Sequence, residues 1–108
     1  MPTEDERWGA RLKQARLAAG LSQKNLGIEA GIDQFVASAR INRYELGVHK
    51  PDLLTAQNLA KVLKVSVSFF YAEEDDIANM IFRYCRAKAS VRANIRKLLA
   101  DIPGPPAL

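Results

Sequence analysis

Cysteine and histidine are almost missing from this chain of 108 residues. Cys85 stands alone, which excludes an internal disulfide and a zinc site held by cysteines. His49 is the single histidine, and no metal-ligand spacing, Gly-rich phosphate loop or nucleophile elbow accompanies it. The chain is therefore read as a non-enzyme with no cofactor and no metal. No apolar run approaches the ~18 residues that cross a bilayer, so no membrane partner is expected. The first charged residues are Glu4, Asp5 and Glu6, which excludes a signal peptide and a basic transit peptide. With the lone Cys85, this points to a reducing cytoplasm. Internal repeats and low-complexity segments are also absent.

What remains is an ordinary globular composition, 48% hydrophobic and 26% charged, in a length that suits one domain with a real core. Net charge is +4 and pI about 9.5, which is compatible with nucleic acid. The central stretch runs from Leu21 to Pro51. Ser22 can cap a short helix carrying Leu26, Gly27 and Ala30. Gly31 can enter a left-handed turn without steric cost. Asp33 can then cap a second helix over roughly 34–46. Helix, glycine turn and a second helix with a polar outer face form the helix-turn-helix plan, whose second helix can lie in a DNA major groove.

Around this unit the apolar spacing sets the other elements. Thr3 caps a first helix with Trp8, Leu12, Ala15 and Ala19 on one stripe, while Arg7, Arg11 and Lys13 lie off it. Asp52 caps a fourth helix to about Leu63, burying Leu53, Ala56, Leu59, Ala60 and Leu63. Ser66 caps a short fifth helix, Val67 to Tyr71, and Val65, Phe69 and Phe70 close the core. The acidic run Glu73–Asp76 suits the N-terminus of another helix, where negative charge is favoured. Beyond it two readings stand. Ser90 caps a separate helix, or one unbroken helix carries a heptad seam at 77, 81, 84, 88, 91, 95, 98 and 102. Either way, a long apolar surface must pack on the domain or on a partner. The expected divisions are 1–72, 73–102 and a mobile tail at 103–108.

Helical phase also sorts the central helix. Ala37, Ile41 and Tyr44 share the buried face. The opposite face carries Val36, Ala39, Arg40 and Arg43, flanked by Gln34, Phe35, Ser38 and Asn42. Arginine can bond guanine in a bidentate way, and an exposed apolar side chain can touch a thymine methyl. Gln23, at the start of the preceding helix, is placed to meet a backbone phosphate, as helix N-termini attract anions.

From about Arg7 to Tyr71 these residues resemble the lambda-repressor-like, Cro-type (xenobiotic-response-element-like) helix-turn-helix family. The likeness rests on the GLSQ step at Gly20–Gln23, the Ala30–Gly31 turn, Ile41, Arg43, Tyr44, Glu45 and Gly47 in the order I-x-R-Y-E-x-G, and Pro51. It implies an all-α fold: a five-helix DNA-binding domain, here with one or two additional C-terminal helices. It also implies roles. Gln23 resembles the glutamine that contacts backbone and sometimes base, Asn42 and Arg43 the exposed DNA-contacting pair, and Arg16 with Glu45 an internal salt bridge. One departure is visible: Asp33 to Arg40 is longer than usual by about one helical turn. Either the recognition helix gains a turn or the loop before it lengthens.

The expected function is a sequence-specific DNA-binding transcriptional regulator, most simply a repressor that occupies a palindromic operator as a homodimer. Gln23, Gln34, Ser38, Arg40, Asn42, Arg43 and Lys50 are the DNA-binding candidates. Ile77, Ile81, Tyr84, Val91, Ile95 and Leu98 are the dimerisation candidates. The alternative is an antitoxin or other interaction module, with residues 77–102 holding a different protein.

Overall fold

The computed structural model describes residues 1–107, and they form seven helices and no strand. The helices are α1 (Glu4–Ala18), α2 (Gln23–Glu29), α3 (Ala37–Glu45), α4 (Leu53–Leu63), α5 (Ser68–Tyr71), α6 (Asp75–Arg86) and α7 (Ala89–Leu99). None is long and apolar enough to cross a membrane. Three starts follow the sequence chemistry directly. The side chains of Thr3, Ser22 and Asp52 accept from the amides of Glu6, Asn25 and Thr55 respectively. The Thr55 hydrogen bonds also hold the exposed Asp52 carboxyl below its usual range.

One core joins the first six helices. Trp8, Leu12, Leu26, Ile41, Leu59, Leu63 and Phe70 are buried in it. Trp8 meets the Phe70 ring at 4.9 Å and the edge of Tyr71 at 6.1 Å. Its Nε1 is buried without a hydrogen-bond partner among the described residues. Two glycines let backbones meet where a side chain could not. A Cβ on Gly9 would lie 2.4 Å from the carbonyl oxygens of both Tyr44 and Glu45, so α1 touches the last turn of α3. A Cβ on Gly27 would lie 2.7 Å from that of Ala37, which presses α2 against the first turn of α3. The recognition-helix candidate is thus clamped at both ends.

Several expectations need correction. The central helix does not run over 34–46; it spans Ala37–Glu45. Asp33 does not cap it. Its Oδ1 accepts instead from the Phe35 amide at 2.8 Å, which closes a local turn over residues 34–36. The extra residues therefore lengthen the loop, because the Asp33 carboxylate offers the backbone a turn in place of a helical start. Leu53 is 60% exposed: as the first residue of α4 it precedes the face that Ala56, Leu59, Ala60 and Leu63 bury. Ala19 is exposed, because α1 ends one residue before it. The fifth helix starts at Ser68, with Val67 at its cap position; the Ser66 hydroxyl meets the Ser68 amide at 3.3 Å.

Arg11 departs furthest from expectation. Although it lies off the apolar stripe, it is only 4% exposed. Its Nε donates to Ala72 O at 2.8 Å, Nη2 to Glu73 O at 3.3 Å, and Nη1 lies 3.3 Å from Asp75 Oδ1. The guanidinium also lies 5.9 Å from the centre of the Phe69 ring. One side chain of α1 thereby satisfies the backbone carbonyls where α5 hands over to α6.

The C-terminal segment is two helices, not one heptad seam. Ala87 is extended and Lys88 takes the cap position of α7, so Ser90 lies inside the first turn instead of capping it. Arg92 fixes the break. Its Nε donates to Tyr84 O at 3.0 Å and its Nη2 to Cys85 O at 2.7 Å, satisfying carbonyls that a continuing helix would have bonded. Of the tail expected at 103–108, residues 103–107 form no regular element, and residue 108 lies outside the described residues.

The α1–α3 contact gives a direct test. Gly9→Ala forces a methyl into two backbone carbonyls and should destabilise the fold by about 1–3 kcal/mol. Urea denaturation measures it, and an unchanged midpoint would contradict the close approach.

Candidate nucleic-acid interface

The face of α3 turned from the core is set by helical period. Ala37, Ile41 and Tyr44 are buried, and Ser38, Arg40, Asn42 and Arg43 are exposed. Burial raises the Tyr44 phenol pKa, Arg40 opposes that shift and Asp52 adds to it. The Arg40 guanidinium thus acts on the ring that anchors its own helix. Before α3, the lengthened turn presents Gln34, Phe35 and Val36. Phe35 is 87% exposed, a large ring with no place in the core. Sequence phase places these residues on the helix; the structure sets them at its tip.

A hydrogen-bonded chain runs from the interior to this surface. Arg16 Nε meets Glu45 Oε2 at 2.6 Å and Nη2 meets Oε1 at 3.1 Å, with side chains 11% and 4% exposed. Arg16 Nη1 donates to Leu21 O at 3.0 Å, holding the loop before α2. Gln23 Nε2 then donates to Glu45 Oε1 at 3.1 Å and to Asn42 Oδ1 at 3.2 Å. Helices α1, α2 and α3 are linked through four polar side chains. Gln23 Oε1 and Asn42 Nδ2 keep no protein partner among the described residues, one an acceptor and the other a donor.

The other candidates divide. Lys50 does not join the α3 group. It lies in the loop after α3, with Nζ 3.8 Å from Glu4 Oε1 and 5.9 Å from the Tyr71 ring centre. Among the dimerisation candidates, Ile81 packs half-buried against the core. Tyr84 is half-buried, with its hydroxyl 3.1 Å from Arg96 Nη1 and its ring 5.2 Å from the Arg92 guanidinium. Ile77, Val91 and Leu98 are exposed, and Ile95 is half-exposed. The residue that sequence reasoning missed is Arg11. Its carbonyl partners lie more than sixty positions away, and only its place beside the Trp8–Leu12–Ala15 stripe hinted at burial.

The ion pair yields a second prediction. Glu45→Ala leaves a mostly buried guanidinium unpaired and should cost about 3–5 kcal/mol. Replacing both partners by apolar residues (Arg16→Met with Glu45→Leu) should cost clearly less than Glu45→Ala alone. In a urea-denaturation cycle, a double-variant loss equal to the sum of the two single-variant losses would show that the pair carries no coupling.

Comparison with known proteins places this geometry. A family model described as helix-turn-helix matches residues 12–70. Two uncharacterised HTH-type transcriptional regulators, from Sinorhizobium medicae (strain WSM419) and Rhizobium meliloti (strain 1021), are each 34% identical over 65 residues. That is 60% of this chain and 44% of each relative, so the chain spans less than half their length. The crystal structure of the transcriptional regulator BswR is similar with a TM-score of 0.81 at 38% identity, covering 87% of this chain and 93% of that one. This likeness reaches past residues 12–70 into the C-terminal helices. The chain belongs to the Cro/C1-type helix-turn-helix family, a family of DNA-binding transcriptional regulators.

Proposed function

We propose that the protein is a sequence-specific DNA-binding transcriptional regulator that lays α3 in the major groove and acts as a repressor by occupying a promoter-overlapping operator. The observation that carries this reading is the division of α3. One face is locked into the core by Ala37, Ile41 and Tyr44, and the other offers Ser38, Arg40, Asn42 and Arg43 to solvent. A groove-reading helix needs both properties, since base contacts require side chains whose backbone does not move.

In this reading Arg40 and Arg43 bond guanine edges, and Asn42 contributes its free amide nitrogen. Phe35 and Val36, at the leading tip, supply apolar surface for thymine methyls. Gln34 and Ser38 meet flanking phosphate or base. Gln23 acts on Asn42 through their shared hydrogen bond and offers its free carbonyl oxygen to the DNA. Lys50, drawn toward Glu4, contributes general attraction more than a fixed phosphate contact. A single helix reads few base pairs, so two copies on half-sites one helical turn apart give useful specificity.

Arg40→Ala tests the base-reading assignment. Losing one bidentate base contact removes about 1–3 kcal/mol of discrimination. Operator affinity should fall by ~10–100-fold while affinity for scrambled DNA changes little. Fluorescence anisotropy on both duplexes measures the ratio. A ratio equal to that of the unmodified protein would remove Arg40 from the reading set.

A further inference from the structure

Helix α7 has no buried residue of its own. Between α7, α6 and the end of α4 lies an open groove of about 1040 Å³. Small-molecule sites usually measure roughly 300–1,000 Å³, so this groove is at the upper end of that range. Its walls are mainly apolar, with Met80, Ile81, Val91, Ile95 and Leu99 among them. Of the residues that helical phase offers to a second copy, Ile81, Tyr84, Val91 and Ile95 line the groove, and Ile77 and Leu98 do not.

We propose that this groove binds a small amphipathic acid. The ligand is a free alkyl carboxylate, its chain on the apolar wall and its head held among Lys64, Arg83 and Arg92.

Charge selects the head group. The charged residues that line the groove are these three cations, and no carboxylate lines it with them. Lys64 and Arg83 are exposed and have no ion-pair partner among the described residues. Arg92 is half-buried, and its Nε and Nη2 donate to Tyr84 O at 3.0 Å and Cys85 O at 2.7 Å. Those bonds fix the guanidinium and leave Nη1 without an acceptor among the described residues. A donor held in this way suits a carboxylate oxygen. A second copy brings the wrong sign to the same place. From residue 77 to residue 102, Arg83, Arg86, Lys88, Arg92, Arg96 and Lys97 stand against Asp101 alone. Another α6–α7 pair laid in the groove adds positive charge to positive charge, whereas a carboxylate offsets it.

The backbone at Lys64 is an independent sign. Its φ is 57° and its ψ 43°, and it is the one non-glycine residue with positive φ among the described residues. Gly20, Gly31 and Gly47 take the other left-handed positions. Glycine adopts that conformation without steric cost, and lysine does not. The end of α4 thus carries a long cation beside the groove at a point where the backbone alone favours glycine.

The apolar wall selects the tail. A wholly polar anion would leave Met80, Val91, Ile95 and Leu99 in water, and an alkyl chain covers them.

Dodecanoate is the probe, titrated by calorimetry into the whole chain without DNA. Lys64→Gly separates binding from folding, because it relieves the left-handed residue while it removes the ammonium. Its urea midpoint should be no lower than that of the unmodified protein. Its affinity for dodecanoate should fall by ~10-fold or more, the effect of losing one charge-assisted hydrogen bond. Dodecanol, which keeps the chain and lacks the charge, should bind ~10-fold more weakly than dodecanoate or worse. Cys85 reports the place. It lines the groove, half-buried, with its Sγ accepting from the Ser66 amide at 3.3 Å. Saturating dodecanoate should slow its reaction with a thiol reagent. A chain that takes up no dodecanoate overturns the inference, and a groove filled by a second copy or by a peptide segment gives that result. Equal affinities for dodecanoate and dodecanol overturn it too, as do undiminished binding by Lys64→Gly and an unchanged Cys85 rate at saturation. Every readout is made without DNA, so none touches the α3 reading, which the Arg40→Ala ratio decides.

Discussion

The Arg16–Glu45 ion pair is the interaction on which the exposed face of α3, the proposed DNA-reading surface, depends. It is bidentate and mostly buried, and it ties the last turn of α1 to the last residue of α3. A charge so far from water is tolerated only when its remaining hydrogen-bonding groups are also satisfied. Leu21 O meets that need on the arginine side and Gln23 on the glutamate side. The satisfaction of a buried pair thus fixes the start of α2 and, through Gln23, the side chain of Asn42. One network thus serves stability and the proposed DNA-reading surface together. A substitution at Glu45 would be felt at the surface without Glu45 touching DNA.

Backbone contact makes that network possible. Gly9 lets α1 lie directly on the carbonyls of Tyr44 and Glu45, and Gly27 does the same for α2 at Ala37. With no side chain between the helices, α3 has little room to rock. Rigidity of this kind lets a few exposed side chains discriminate between bases, because misplaced donors lose their hydrogen bonds. Arg11 performs a comparable task from the middle of α1. It closes the carbonyls of Ala72 and Glu73 and seats α6 against the domain, while Phe69 and Phe82 pack at 5.4 Å.

Much of this was legible from residue type and spacing. The caps at Thr3, Ser22 and Asp52 and the buried faces of α2, α3 and most of α4 follow from local rules. The all-α helix-turn-helix class follows from the same rules. What was hidden depends on partners distant in sequence or on competition between local options. Asp33 fits a helix cap by type, yet its carboxylate prefers a turn at Phe35, and that choice moved Gln34, Phe35 and Val36 off the helix. Arg11 reads only as a residue off the apolar stripe until Ala72–Asp75 comes round to meet it. The heptad seam over 77–102 is real as a pattern. Arg92, reaching back to the carbonyls of Tyr84 and Cys85, accompanies its division into two helices.

The most direct measurement is binding of the unmodified protein to DNA from upstream of its own coding region and to a scrambled duplex, at several salt concentrations. A regulator that reads bases through α3 should prefer the first by ~10³-fold or more, with two chains per site. Equal, weak binding to both, collapsing as salt rises, would mean that only general electrostatics acts and that α3 does not read sequence.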